Sequence, residues 1–462
     1  WVNRHIKYTH GFGVTLNPVS EFQPNGEPVL LVKNIPPESS LPRVEVSQPR
    51  IYYGNLTRDH VYAKTEEKEF DYPSGEQNVE TLYEGDGGVL IGSSLFRRIV
   101  FAWKFDGNRL LFTGYLTPES RILFHRRVLD RLRLLAPFLI FDNDPYMVID
   151  EQGRLKWICD AYTASDQYPY SEHYPGSVAP LRGANYVRNS VKAVVDAYDG
   201  SVQFYIFDPN DVMIRTYDAI FPGMFQPREE MPDDLEAHIR YPDDIFTIQA
   251  EMFTVYHMDN VTVFYNKEDV WSIANEKYRG NVQRILPYYV IVQLPEEEHA
   301  EFVLMLPFTP LNKDVMMGWM AGRCDGEHYG KLIVYKFPKG KLTLGPMQVE
   351  SKVDQDAQMA RDLTLWDQRG SQVIRGNMLV IPIEDTILYV EPIYLQAETA
   401  RIPQLRKVVT AHWQTVVWAN TLSDSLDALL AVKEGGAPPP IEGVAATVEP
   451  GERPEVEPGT EP

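Results

Sequence analysis

Cysteine is nearly absent from this 462-residue chain, which carries only Cys159 and Cys324. Neither belongs to a CxxC pair, so a zinc ribbon and a thioredoxin-like redox centre are excluded. In an oxidising compartment the two could close one long loop, and equally each could serve as a small core hydrophobe. Long apolar runs are also lacking. A bilayer-spanning helix needs roughly 18 or more consecutive apolar residues, and Leu134–Phe141, among the longest runs, is interrupted by Pro137. Positive charge is in deficit, with 44 Lys and Arg against 65 Asp and Glu and a net charge of −21. That balance keeps a protein soluble and repels nucleic acid and anionic headgroups, so no nucleic-acid partner is expected. Walker, GxGxxG, HExxH, GxSxG and EF-hand patterns are missing as well, and no cofactor or catalytic residue is expected. Trp1 opens the chain without methionine or signal peptide, as in an excised domain.

What is present is ordinary globular composition, 44% hydrophobic and 24% charged, enough for a sizeable core. The strongest local signal is Asp199-Gly200, read as a two-residue type I′ hairpin turn. It would set Ala197 opposite Val202, Val195 opposite Phe204 and Ala193 opposite Ile206, one apolar face. A second hairpin joins 146–150 to 154–162. Helical spacing of Phe96, Ile99, Val100 and Trp103 predicts a helix over 93–105. Thr117-Pro118-Glu119 has the form of a helix start, an N-cap hydroxyl with proline behind it, and predicts a helix to about Leu135. Pro232-Asp233-Asp234 and Pro242-Asp243-Asp244 punctuate two more helices. Beyond Ile285 the period turns to strands, with a helical stretch from Gly345-Pro346 to about Trp366 and a last helix near 422–432. The fold class is therefore α+β: antiparallel hairpins and sheets with interspersed helices. The expected organisation is one domain over 1–433 with two lobes, 1–180 and 181–433, followed by a disordered Pro- and Glu-rich tail, 434–462.

NYVRNSVKAVVDAYDGSVQFY, from Asn185, resembles the large membrane proteins grouped as uncharacterised protein family 0182. So do YTHGFGV at Tyr8, QPRIYYG at Gln48, EFDYP at Glu69, WICDAYTASDQYPYS at Trp157, RYPDD at Arg240, FYNKEDVW at Phe264, RCDGEHYGKLIVY at Arg323 and GNMLVIPIEDTILYVEPIYLQAE at Gly376, in the family's order. The resemblance implies a transmembrane region upstream, absent here, and an extracytoplasmic place for this chain at the cell membrane. It names no reaction. A shorter likeness, VKAVVDAYDGSV to the PepSY domain, adds a protease-regulating module as an alternative. The leading expectation is an extracytoplasmic binding or scaffolding domain with an envelope protein or glycan as partner; an envelope hydrolase acting on glycan or peptide is the other.

Two stretches are candidate contacts. The aromatic and polar segment after the second hairpin offers Tyr162, Thr163, Ser165, Asp166, Tyr168, Tyr170 and Ser171, because loops on rigid supports carry recognition. The basic residues Arg121, Arg126, Arg127 and Arg131, expected on one helix, could dock an anionic group. Cys159, Asp160, Asp166, Glu172 and His173 cluster in sequence but match no ligand spacing, and no metal site is expected.

Overall fold

The computed structural model describes residues 1–295, 297–338, 343–368, 370–383, 386–398, 402–413, 415–433 and 445–447. The fold is α+β, and it divides into two compact units, Trp1–Val19 with Val29–Ile248, and Ser20–Pro28 with Gln249 onward. The boundary expected at residue 180 falls inside a continuous sheet, and the division lies instead within a helix, Asp243–Tyr256.

In the first unit, strands β1 (Val61–Thr65), β2 (Glu69–Ser74), β3 (Gln77–Thr81) and β4 (Val89–Leu90) lead into helices α1 (Leu95–Lys104) and α2 (Asn108–Phe112). Ser94 caps α1, its hydroxyl accepting the Arg97 amide. Then come β5 (Leu116–Leu123), α3 (Val128–Leu135), β6 (Ile140–Phe141), β7 (Tyr146–Ile149), β8 (Leu155–Ser165), β9 (Tyr186–Asp196), β10 (Val202–Ile206), α4 (Val212–Ile220), β11 (Phe225–Pro227) and α5 (Asp243–Tyr256). The main sheet runs β6-β8-β9-β10-β11, with β7 also on β8, and only the β10–β11 pair is parallel. One sheet face packs Cys159, Val191, Ala193, Val195 and Phe204 against Leu129 and Leu132 of α3 and Ile214 of α4.

The helix expected from Thr117 is overturned. Residues 116–123 form β5, antiparallel to β1 with Val61 opposite Leu123 and Tyr62 opposite Ile122. The Thr117 hydroxyl accepts the Glu119 amide, as a cap would, but donates to the Lys64 carbonyl. A Thr side chain serves a turn as readily as a helix start, and the strand partner decides. The helix begins only at Val128.

The central hairpin keeps its predicted face and loses its predicted register. Val195 lies opposite Val202, Ala193 opposite Phe204 and Val191 opposite Ile206. A type I′ turn needs positive φ at both central residues, and of Asp199 and Gly200 only Gly200 has it, at 74°. The Asp196 carboxylate accepts the amides of Tyr198 and Asp199 at 2.8 and 3.0 Å, which closes a longer loop over Ala197–Gly200. A shift of two residues preserves side-chain parity, so the apolar face survives.

In the second unit β12 (Trp271–Ile273), β13 (Tyr288–Gln293), β14 (Ala300–Pro310), β15 (Gly318–Arg323) and β16 (Leu332–Lys336) form one antiparallel sheet. Helices α6 (Pro346–Gln355) and α7 (Ala357–Trp366) follow, split at Asp356, whose carboxylate caps α7. Strands β17 (Ser371–Arg375), β18 (Leu379–Ile383), β19 (Thr386–Ala397), β20 (Gln404–His412) and β21 (Thr415–Ala419), then α8 (Leu422–Lys433), complete it. Val303, Trp319, Val349, Val353, Tyr389 and Trp418 share its core. The arm Ser20–Pro28 joins this unit, with Gly26 accepting the Leu405 amide at 2.9 Å. Cys159 and Cys324 are both free and buried. Most of the expected tail lies outside the described residues; residues 445–447 pair with β21 as an edge strand.

Gly200 is required twice. Its φ is 74°, and a Cβ there would stand 2.5 Å from the Tyr53 ring. Gly200→Ala should therefore lower unfolding free energy by about 2–4 kcal/mol, measured by urea titration; a loss under 0.5 kcal/mol would contradict the hairpin geometry.

Candidate functional site

The sequence-predicted contact segment separates into two parts. Tyr162 and Thr163 lie in β8 and are fully buried. The Tyr162 hydroxyl donates to Asp142 at 2.5 Å, and Thr163 donates to Asp211, which also accepts from Ser190 and Tyr186. Ser165 ends β8, and its hydroxyl accepts the Gln167 amide. Asp166, Tyr168, Tyr170 and Ser171 form an exposed loop held by Asn185, whose amide bonds Tyr168 in both directions and Ser171. Tyr168 stacks on Tyr186 at 5.5 Å, while Tyr170 is wholly exposed at φ 60°. Of the acidic, thiol and imidazole residues clustered in sequence here, Cys159 and Asp160 are buried in β8, whereas Asp166, Glu172 and His173 are exposed beyond its end.

The four arginines do not share a helix face. Arg121, in β5, donates to the carbonyls of Gly87 and Asp86. Arg127 reaches Asn55 and Asp130, and Arg131 lies over the Tyr53 ring at 4.9 Å. Arg126 is 4% exposed and donates to the carbonyls of Tyr52 (2.7 Å), Asp59 (3.0 Å) and Thr9.

Arg126 is also the floor of a cleft of about 460 Å³, bordered by Arg4, Tyr8, His10, Leu56 and Arg58. Beneath it lies a polar cluster built from three stretches. Gly11–Phe12 pairs with Arg50–Ile51, bringing His10 and Arg50 together. In β2 Phe70 opposes Glu80 and Tyr72 opposes Val79, leaving Asp71 as the extra residue of a bulge. Bulges re-aim side chains, and Glu69 and Asp71 both turn inward. Glu69 accepts from the Thr9 hydroxyl, the Tyr52 hydroxyl (2.6 Å) and the Tyr83 amide (3.2 Å). Asp71 accepts Nε and Nη2 of Arg50 at 2.8 and 2.7 Å.

The hydrogen-bond order determines the charge on His10. The single Thr9 proton goes to Glu69, so the Thr9 oxygen accepts from His10 Nδ1 at 2.9 Å, and Nε2 faces Asp71 at 3.2 Å. Both ring nitrogens are then donors, which is the imidazolium. Burial opposes this, but the bonds to Asp71 and Glu69 outweigh it and raise the pKa. Burial likewise pushes the Asp71 carboxyl up, and its bonds to His10 and Arg50 pull it below the usual value. Burial pushes Arg126 down to about 10, still a cation at neutral pH. His10, Arg50 and Arg126 therefore face Glu69 and Asp71, one more positive charge than negative. The Thr9–His10–Asp71 order resembles a nucleophile, base and orienting acid. Thr9, however, is 1% exposed and its proton is held by Glu69, so the hydroxyl acts as a link.

Other chemistry-bearing groups are not among the residues that line the cleft. Beside Tyr162, burial first and then Asp142 push Asp243 up to about 6 and Asp244 up to about 7; the sequence had offered them as helix punctuation. His5, His60 and Asp106 bring ligand-type atoms within 4.8 Å of one another, as do Glu297, Glu301 and His328. Asp106 already accepts from Tyr62 at 2.7 Å and faces His60 Nε2 at 2.5 Å. His10, Glu69 and Asp71 went unrecognised in the sequence, although YTHGFGV and EFDYP, which contain them, carry the family wording.

Arg4, Arg58 and Arg126 line the cleft together with Asp59. The comparisons are specific. The model of the uncharacterised protein family UPF0182 matches residues 1–366. A UPF0182 protein of Sulfurovum sp. (strain NBC37-1) is 51% identical over 436 residues, covering 94% of this chain and 47% of that protein. One of Methanospirillum hungatei is 48% identical over 94% of this chain and 48% of its own length. Another, of Moorella thermoacetica, is 49% identical over 98% and 49%. The chain belongs to the UPF0182 family, and it spans about half the length of these relatives. No solved structure matches.

Two outcomes follow. His10, with its raised pKa, contributes stability below its ordinary value of about 6.5, lost as pH rises through the higher folded value; Asp71 contributes above about 3.8, lost on acidification. The melting-temperature difference between the wild type and His10→Gln should thus be widest below about pH 6.5 and narrow as pH rises through the higher folded value; a flat difference would exclude the imidazolium. Replacing Asp166 and Tyr168 together by alanine should cost about 1 kcal/mol or less, the loss of one exposed stack, whereas a loss of several kcal/mol would show that the loop belongs to the core.

Proposed function

We propose that this chain is the extracytoplasmic binding domain of a membrane protein, and that the cleft over Arg126 receives the carboxylate or phosphate of an anionic envelope glycan. One observation carries this reading. Arg126 is buried with carbonyl partners only, in a cluster holding one more cation than anion, at the floor of an open cleft. A buried guanidinium attracts an anion strongly because little water screens it. Arg58 stands exposed at the rim, while Arg4 is neutralised by its two bonds to Asp59 at 2.8 Å. Tyr8, 55% exposed, offers a ring face to a sugar at the same rim. Nucleophilic attack by Thr9 is disfavoured, because it is 1% exposed and its proton is held by Glu69.

The test is a thermal-shift titration of the chain with inorganic phosphate and with a uronic-acid oligosaccharide, against the neutral methyl ester of the latter at constant ionic strength. Specific binding raises stability by about 2.7 kcal/mol at a hundredfold excess over Kd. Arg58→Glu, exposed and outside the buried cluster, should leave the unliganded melting temperature within about 0.5 kcal/mol-equivalent of wild type and remove the anion effect. Equal stabilisation by the neutral ester, or an unchanged response in Arg58→Glu, would overturn the reading.

A further inference from the structure

Helix α1 is apolar on two sides. Phe101, Ala102 and Phe105 turn toward Ile91, Leu110 and Ile122 and form the small core under the helix. On the other side Phe96, Ile99, Val100 and Trp103 follow the helical spacing i, i+3, i+4, i+7, and all face solvent: Phe96 is 76% exposed and Trp103 92%. Leu95 at the start of α1 is 70% exposed, and Phe112 at the end of α2 is 83% exposed. A helix apolar all round is a buried helix, and a contiguous patch of large exposed side chains marks an interaction surface.

The charge around the stripe identifies what covers it. Arg97, Arg98, Lys104 and Arg109 lie within α1 and α2, in a chain whose net charge is −21. The acid in this stretch, Asp106, is turned inward to His60 and Tyr62. A second copy seated by a two-fold axis would set this basic rim against itself. An anionic surface complements it. The elements are also too short to do anything but lie flat: ten and five residues at about 1.5 Å each. Trp, Phe and Leu on one face with Arg and Lys beside them is the composition of helices that rest in the headgroup layer.

We propose that the α1–α2 face rests on the anionic phospholipid surface of a bilayer, with Phe96, Ile99, Trp103 and Phe112 in the headgroup–acyl boundary and the neighbouring Arg and Lys on lipid phosphates. The surface sets the domain's orientation on the membrane and is separate from the cleft.

Vesicle flotation of the 462-residue chain tests this, comparing phosphatidylcholine vesicles with vesicles also containing phosphatidylglycerol, and with quenching of Trp fluorescence by brominated lipid. The expected result is binding to the anionic vesicles, weakened by salt, with quenching in the wild type. Phe96→Asp with Trp103→Asp should abolish it, and Lys104→Glu with Arg109→Glu should weaken it by about tenfold or more. All four side chains are exposed, and unchanged melting temperatures verify that the variants fold. Arg58→Glu should bind vesicles as the wild type does, which keeps a failure of the cleft distinct from a failure of this face. Equal binding to neutral vesicles, no binding to either, or a solution dimer that Trp103→Asp dissolves would each overturn the proposal.

Discussion

The first sixty residues contain little regular structure, and one buried guanidinium substitutes for it. Arg126 takes a carbonyl from Thr9, from Tyr52 and from Asp59, three points on segments with only two-residue strands between them. Buried carbonyls must be paired, and where no ladder supplies the donors a planar fork of N–H groups can. Glu69 performs the complementary task for donors, taking two hydroxyls and an amide from Thr9, Tyr52 and Tyr83. Remove either side chain and the groups left behind are buried without partners, which is the costly half of any polar deletion. The cleft is a consequence of this scaffold, and so is its sign, since carbonyls satisfy a guanidinium without neutralising it.

The second unit solves a similar problem with the opposite balance. Arg375, at the end of β17, faces Glu391 of β19 at 2.6 Å, Asp354 of α6 at 2.7 Å, and Glu350 of α6. Glu350 and Glu391 are both fully buried. Burial first, and then the Glu391 carboxylate, push Glu350 up to about 8. Two carboxyls beside one cation in a dry site cannot both ionise cheaply, so one keeps its proton near neutrality. The arrangement fastens a helix to a sheet and leaves no net cation.

Sequence carried the alternation of strands and the type of most elements, because side-chain period and turn residues are local properties. It did not carry partners. Asp199-Gly200 announced a hairpin, yet its register depends on whether the Asp196 carboxylate captures two amides, which pattern alone does not reveal. Thr117-Pro118-Glu119 had the local chemistry of a cap, and pairing with Val61–Thr65 overrode it. Tyr162 and Thr163 were read with the exposed loop because the aromatic and polar segment runs on from them; their hydroxyls have buried acceptors in Asp142 and Asp211. His10 looked like one histidine among ten, since its three partners come from residues 9, 69 and 71.

The stripe on α1 was visible as a period and invisible as a surface. Periodicity says which residues share a face and says nothing about which way that face points, so the spacing of Phe96, Ile99, Val100 and Trp103 predicts a helix and leaves its exposure open. A helix carrying a second apolar face at Phe101, Ala102 and Phe105 has to choose, and here the second face is the one covered by protein. Net charge misleads in the same way. A value of −21 argues against an anionic partner only if the charges act together, and at physiological ionic strength they do not, because screening cuts their reach to about 8 Å. Along α1 and α2 the charged residues near Trp103 in sequence are Arg97, Arg98, Lys104 and Arg109, and Asp106 is turned inward. Recognition at a surface is decided by what lies inside one screening length of it, and the sum over the chain is the wrong quantity to consult.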